Sequence, residues 1–509
     1  MALSLRQICK GIPGLETIGD SDVSIHGVTS DSGQAGPGIL FVAVVGTEQD
    51  GHQFLDAAVE AGSEAVVVSR SSQDSRRMLN VDGPGALRAW VLAENTRPLP
   101  ALLARELAGR PDEKLLTAGI TGTNGKTTVA FLLQQMLAGL RGPCGLLGTI
   151  RYEDGISTQP APLTTPGGPV FYQWLGKMST NGCRSVAMEI SSHALDQDRT
   201  AGLGLDVAVL TNMGRDHLDY HRDTASYLAA KLRILELLHN GRPGVLVVNG
   251  DDRLLSDIET GDLDVIRFSV GGSGAAAADL VVKEAKLELA GTKLKVAWRN
   301  ECLFVDSPLV GRFNVENLTA ALAAGIGLGL DPEDCARNLG AVAQVPGRLE
   351  RFLLPDGALA VVDYAHTHDA LAAVLGTCDE LASGRLLCVF GCGGDRDQGK
   401  RTLMGAVAAR CSDLAWVTSD NPRSEDPAAI CAQVVEGFSG VENPRAAEVQ
   451  VIVDRRRAIE SALAAAQRGD IVVIAGKGHE DYQLVGNQVL SLDDRVIVGQ
   501  WIERLGDDG

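Results

Sequence analysis

The chain has 509 residues, 45% of them apolar, with 46 Lys and Arg against 65 Asp and Glu for a net charge of −19. That length exceeds a single hydrophobic core and predicts about two to four domains. The acidic balance argues against a general nucleic-acid or anionic-membrane binder, yet leaves room for a local basic pocket.

Residues 1–97 read as a small α/β domain. Runs 39–45 and 65–69 are strand-like, and 52–62 reads as a helix between them. Ahead of the first run lies Gly27-Val28-Thr29-Ser30-Asp31-Ser32, small and polar, a pattern that serves a turn or a ligand. Residues 95–100, NTRPLP, read as a linker.

Residues 98–345 read as a central domain built on one theme, apolar strands that end in polar loops. Its organising stretch is 114–130, KLLTAGITGTNGKTTVA. Residues 115–120 predict a buried strand, Thr121-Gly122-Thr123-Asn124-Gly125 a turn, and Lys126 the start of a helix. Backbone N–H groups of such a turn, with the helix N-terminus, make a phosphate cradle. Lys126 supplies a point charge, and the Thr127 hydroxyl is placed for Mg²⁺. The strict P-loop spacing is not met, because Ile120 stands where its first glycine belongs. Further strands are expected at 185–190, 206–211 and 244–249, with a helix at 224–238. Doubly buried strands alternating with helices mean a largely parallel sheet, whose ligands bind beyond the carboxyl ends of the strands. Glu189 and His217 then share an edge with Lys126 and Thr127, a grouping suited to Mg²⁺ and phosphate. Residues 264–308 alternate and predict an antiparallel excursion, followed by an Ala-rich helix at 315–329.

The strand-and-loop theme restarts in 346–509. Strands are expected at 358–363, 386–390, 414–418 and 470–475, which predicts a second doubly wound domain. Arg396, Lys400, Arg401, Arg423 and Lys477 make its ligand edge basic. The fold class is α/β in three domains: a small N-terminal α/β domain, a central P-loop parallel-sheet ATPase domain and a C-terminal Rossmann-like domain. The ten cysteines are scattered without a C-x-x-C pair, so reduced thiols are expected. No stretch reaches the apolar length of a membrane span, and a cytoplasmic protein is expected.

TGTNGKTT (121–128), MEISSHAL (188–195), TNMGRDHLDYH (211–221), YLAAKLRIL (227–235), GRFNVENLTAAL (311–322), VPGRLE (345–350), DYAHTHDAL (363–371), GCGGDRDQGKR (391–401), DNPRSEDP (420–427) and AGKGHEDYQ (475–483) together resemble the Mur ligase family. These are the ATP-dependent amide-forming enzymes of peptidoglycan precursor synthesis, and the resemblance covers essentially the whole chain. DNPR with GKGHE resembles the branch that adds meso-diaminopimelate to UDP-N-acetylmuramoyl-L-alanyl-D-glutamate through an acyl phosphate.

The resemblance implies roles residue by residue. ATP would be held by Gly122, Thr123, Asn124, Gly125, Lys126, Thr127, Thr128, Asn314, Arg348, Asp363 and His366. Mg²⁺ would be held by Thr127, Glu189, His217 and Lys231, the last as a CO₂-derived carbamate; Lys126, Lys231 and His217 would be catalytic. The UDP-sugar peptide would meet Ser30, Ser32, Thr47, Glu48, Gln49, Thr164, Thr165, Ser191, Gln197 and Arg199. Diaminopimelate would meet Arg396, Asp420, Asn421, Pro422, Arg423, Gly476 and Glu480. A guanidinium grips a carboxylate bidentately and repels the bare ammonium of lysine, which favours diaminopimelate at Arg423. Small-molecule substrates, no nucleic acid, no membrane and a monomer are the expected associations. Two positions depart from the family pattern: Gly33 where D-S-R has arginine, and His368 where D-Y-A-H-T-P has proline. The rival readings are a sister ligase adding lysine or another amino acid, a folylpolyglutamate synthase, and a P-loop nucleotide switch or regulatory binding protein.

Overall fold

The computed structural model describes residues 2–46, 49–72, 87–214, 216–239, 243–446 and 448–507. The chain divides into two compact units. One comprises 1–284, 295–304 and 316–339, and the other comprises 285–294, 305–315 and 340–509.

The first unit carries a five-stranded sheet in the order Glu16–Gly19, Ala89–Ala93, Ala65–Ser69, Ile39–Val42, Gly27–Thr29. Its first pair is antiparallel and the rest are parallel. The larger sheet of the same unit is centred on Leu116–Thr121, which pairs in parallel with Ser185–Glu189 on one side and Val207–Leu210 on the other. Val245–Asn249 and Asp264–Ser269 continue it in parallel, and Cys144–Leu147 lies beyond Ser185–Glu189. All five residues of Ser185–Glu189 are buried, as are Thr117 to Thr121, so both faces are covered by helices and apolar runs replace alternation. One of those helices is Lys126–Arg141, whose Val129, Leu132, Leu133, Met136 and Leu137 are buried. Parallel pairing brings the ends of three adjacent strands, Thr121, Glu189 and Leu210, to one edge.

The second unit holds a six-stranded sheet in the order Glu350–Leu353, Leu359–Asp363, Ile471–Ala475, Leu386–Cys392, Leu414–Ser419, Glu448–Val451. All pairs but the first are parallel. Asp363, Ala475, Cys392 and Ser419 therefore end four neighbouring strands at a common edge. A separate hairpin, Tyr482–Val485 with Gln488–Ser491, follows Ile471–Ala475 in the chain.

Several expected elements shift for identifiable reasons. Residues 52–62 give a 3₁₀ turn, Gly51–Phe54, before the helix Leu55–Glu60. The expected linker 95–100 is partly helix, because Leu99–Leu107 starts inside it with proline in its first turn, where no N–H is needed. The 224–238 helix is α-helical only over Thr224–Leu232 and tightens to 3₁₀ over Arg233–His239. Asp264–Ser269 pairs in parallel with Val245–Asn249, so the antiparallel excursion begins later. It comprises Leu280–Glu288, Gly291–Trp298 and Glu301–Ser307, successive sheet neighbours joined by two-residue connections that permit only antiparallel pairing.

Candidate active site

The loop after Leu116–Thr121 is shaped by its neighbours. Thr123 N donates to Asn212 O at 2.9 Å, and Asn124 N to Asn212 Oδ1 at 2.9 Å. Thr211 Oγ1 donates to Asn124 O at 2.6 Å, and Gly214 N to Thr123 Oγ1 at 2.8 Å. Two glycines are required. Gly122 has φ +151°, and a Cβ there would lie 1.9 Å from Thr211 Oγ1; at Gly125, φ is +85° and a Cβ would lie 2.4 Å from Asn317 Oδ1. The Gly122→Ala variant is expected to lose about 2 kcal/mol of stability. A lowered urea midpoint of the first unfolding transition checks this.

Lys126 Nζ donates to the carbonyls of Gly122 and Thr123, each at 2.9 Å, which folds its side chain back over the loop. Thr127 Oγ1 donates to Glu189 Oε2 at 2.9 Å, so two residues 62 positions apart meet at the strand ends as expected. Glu189 is fully buried, and its carboxylate also accepts from Thr149 N (2.7 Å) and Thr149 Oγ1 (3.0 Å). Among the described residues these hydrogen-bond donors are neutral groups, as suits a hard cation bound through one carboxylate, a hydroxyl and phosphate oxygens. The donor set therefore fits Mg²⁺ with a bound nucleotide.

Lys231 reaches the same place from helix Thr224–Leu232. It is 1% exposed, and its Nζ donates to Gly122 O at 2.7 Å and lies 4.5 Å from the centroid of the Tyr227 ring. Two lysines thus share one carbonyl. Burial first, and then the charge of Lys126, push the Lys231 amine down to about 6. His217 is exposed with φ +53°, its ring 6.2 Å from that of Tyr227 and 4.8 Å from that of His193. Tyr227 thereby stands between His217 and Lys231.

A cavity of about 310 Å³ in the first unit is lined by Ser30, Gly46, Arg97, Gln197 and Arg199 among others. Arg199 donates to Thr165 O at 2.9 Å and to Gln197 Oε1 at 2.7 Å, both neutral acceptors, and burial lowers its pKa. A guanidinium so placed favours an anionic ligand. Thr164 Oγ1 lies 3.1 Å from Thr149 Oγ1, and Ser191 N donates to Thr165 Oγ1 at 3.0 Å, which ties these expected residues to the Glu189 strand end. Ser32 begins a 3₁₀ turn capped by Asp31, whose carboxylate accepts from Gly33 N. Gln49 O accepts from Gly46 N beside the cavity. Thr47 and Glu48 lie outside the described residues.

The expected residues of the second unit form two groups. In one, Asp363 accepts from Leu349 N and Ala365 N, both at 2.8 Å, and the Arg348 guanidinium lies 4.7 Å from the Tyr364 ring centroid. The rings of His366 and His479 lie 4.8 and 5.1 Å from that of Tyr364. Burial and nearby Arg348 hold His479 neutral down to about 3, and its buried Nδ1 has no hydrogen-bond partner among the described residues. Asn314 is buried and donates to Val310 O at 2.7 Å.

In the other group, Asn421 Nδ2 and Lys477 Nζ both donate to Glu480 Oε2, each at 2.9 Å. Asn421 Oδ1 accepts from Leu484 N at 2.9 Å, pinning the hairpin to the loop. Arg423 adopts φ +52° and donates from Nη1 to Gly394 O at 2.7 Å, while Pro422 is buried beside it. Asp420 approaches Gly476, where a Cβ would lie 2.7 Å from the Asp420 carboxylate. Arg396 is exposed on the facing loop, beside Asp395. Sequence reading missed Thr149, Asn212 and Tyr227 and left Lys477 among the general basic residues: Thr149 and Asn212 act through partners distant in sequence, and Tyr227 and Lys477 read as an ordinary core aromatic and a loop cation until their contacts are seen.

The Mur ligase middle domain profile matches residues 120–325, the Mur ligase glutamate ligase domain profile 347–478, and the Mur ligase family catalytic domain profile 24–106. The chain is 38% identical over 483 residues to the UDP-N-acetylmuramoyl-L-alanyl-D-glutamate–2,6-diaminopimelate ligase of Syntrophomonas wolfei, covering 95% of each chain. It is 38% identical over 526 residues to the ligase of the same name from Geobacter metallireducens, covering all of both. A solved structure of a UDP-N-acetylmuramoyl-L-alanyl-D-glutamate–2,6-diaminopimelate ligase superposes with a TM-score of 0.70 at 31% identity, covering 99% of this chain and 100% of that one. With all three domain profiles matched in order and full-length relatives well above 30% identity, the chain belongs to the Mur ligase family.

Proposed function

We infer that this protein is an ATP-dependent ligase that joins meso-diaminopimelate to the D-glutamate of UDP-N-acetylmuramoyl-L-alanyl-D-glutamate, in cytoplasmic synthesis of a peptidoglycan precursor. The observation that carries the reading is the meeting of Lys126, Thr127, Glu189 and a buried Lys231 at one phosphate loop. The domain relatives support ATP as co-substrate and an amino acid as acceptor.

Residues 1–97 with the cavity at Ser30, Gln197 and Arg199 take the nucleotide sugar and its peptide. The 98–345 domain takes the triphosphate, and 346–509 takes the acceptor. Arg199 holds an anionic group of the peptide so that the D-glutamate carboxylate faces the γ-phosphate. Lys126 neutralises charge as that carboxylate attacks, giving an acyl phosphate and ADP. Thr127 and Glu189, with His217 and a carbamate on Lys231, would hold Mg²⁺, which would supply charge neutralisation at the phosphates. Tyr364, His366 and His479, with the Arg348 guanidinium against the Tyr364 ring, offer a flat shelf suited to adenine. Arg423 grips the distal carboxylate of the acceptor, and its amine takes the acyl carbon while phosphate leaves.

The acceptor is the testable part. Phosphate release from ATP in the presence of the nucleotide dipeptide is expected with meso-diaminopimelate and at background with L-lysine. Equal or greater turnover with lysine overturns the acceptor assignment. The protein is assigned as a monomer, and sedimentation equilibrium with a single species at the chain's mass checks that.

A further inference from the structure

Beneath the acceptor loops lies an ion pair that the mechanism above does not use. Arg455 and Asp494 both have fully buried side chains. Arg455 Nε donates to Asp494 Oδ1 at 2.8 Å and Nη2 to Oδ2 at 2.7 Å, a bidentate pair. The same guanidinium donates from Nη2 to Ala475 O at 3.0 Å and reaches Ser419 O from Nη1 at 3.5 Å. Ala475 and Ser419 are the last residues of strands Ile471–Ala475 and Leu414–Ser419, which flank Leu386–Cys392 in the sheet. The next residues, Gly476 and Asp420, open the two loops that carry Glu480 and Arg423.

Net stability is a poor account of this arrangement. A buried ion pair contributes little against an apolar pair of equal volume. Arg455 also opens helix Arg455–Ala465, where the helix dipole disfavours a cation. What the fork does supply is fixed geometry, because one planar group binds one carboxylate and two strand ends at once. The loops touch just above it. Gln483 Nε2 donates to Asp420 O at 2.7 Å, and Asn421 Nδ2 to Glu480 at 2.9 Å.

We propose that Arg455, anchored by Asp494, is a positioning residue that sets the spacing between the 420–423 and 476–480 loops and thereby the fit of the acceptor amino acid. The inference rests on the acceptor reading given above. Arg423 grips a carboxylate and the Glu480 side faces an ammonium, so a change in loop spacing strains both grips together. The nucleotide sugar, assigned to residues 1–97 and the cavity at Arg199, does not depend on this joint.

Full-length Arg455→Lys keeps the charge and loses the fork. Its KM for diaminopimelate is expected to rise about tenfold or more, with the KM for the nucleotide dipeptide unchanged and the preference over lysine reduced. Asp494→Asn keeps the guanidinium, loosens its anchor, and is expected to shift the same constant in the same direction by a smaller factor. A purely structural pair would lower Tm and active fraction and leave the KM for diaminopimelate alone. An unchanged KM in a folded Asp494→Asn protein therefore overturns the proposal, even where Arg455→Lys does not fold. Wild-type protein that releases no phosphate in response to diaminopimelate would instead sink the acceptor reading itself, so the two failures are told apart.

Discussion

Replacing Lys231 by alanine is expected to slow amide formation by about a thousandfold, with part of the loss restored by added acetate or formate. The amine is buried, donates to Gly122 O, and shares that carbonyl with Lys126. Burial and Lys126 bring it to about 6 from an ordinary 10.5, so at neutral pH it is an uncharged nucleophile able to take up CO₂. A carbamate formed there would be an anion beside the phosphate loop, and a small carboxylate diffusing into the alanine cavity would replace it. Retained activity without rescue would refute the role. Activity is expected to fall as pH drops through about 6, where the amine is protonated and the carbamate is lost.

The same group has a stability signature in CO₂-free buffer. Its folded pKa is depressed, so between about 6 and 10.5 the unfolded chain carries a proton that the folded chain lacks. Stability from this group therefore rises with pH across that window, and its penalty is largest at and below about 6. Lys231→Met is expected to raise Tm at pH 7, with the advantage shrinking toward pH 10; calorimetry at both pH values checks this.

Arg423→Lys is expected to lower kcat/KM for diaminopimelate about a hundredfold, while turnover with lysine stays flat or rises. The backbone at Arg423 is held on both sides, by Leu484 O accepting from its N–H at 3.0 Å and Gly486 N donating to its carbonyl at 2.6 Å. Among the described residues its Nη1 alone is engaged, on Gly394 O and Asn421 O. The Nε and Nη2 edge is thus the one that presents two parallel N–H groups to a carboxylate. Lysine at 423 keeps the charge and loses that fork, and it no longer discriminates by geometry. Steady-state kinetics with both amino acids check the outcome, and an unchanged preference would contradict it.

The strands and the phosphate loop were legible because apolar runs buried on both faces leave a plain pattern, and because glycine, lysine and threonine together have few other uses. Glu189 was legible as a strand end and does meet Thr127. Thr149 was not, since it contacts Glu189 from 40 positions away and nothing local marks it. Tyr227 reads as an ordinary core aromatic until its ring is found under Lys231. Pro98 and Pro100 suggested a linker, yet proline in a helix's first turn is compatible with Leu99–Leu107. Asp264–Ser269 was assigned to an antiparallel excursion by composition, although its partner across the sheet is Val245–Asn249 in parallel. Arg455 was unremarkable in sequence, one of three consecutive arginines, and only burial against Asp494 singles it out.

The acyl phosphate is the centre of the account, and oxygen tracing tests it directly. The nucleotide dipeptide is prepared with ¹⁸O in the D-glutamate carboxylate that becomes the amide, then turned over with ATP and diaminopimelate. Mass spectrometry is expected to find one labelled oxygen in each phosphate released. Unlabelled phosphate, with amide formed at the same rate, would contradict the account.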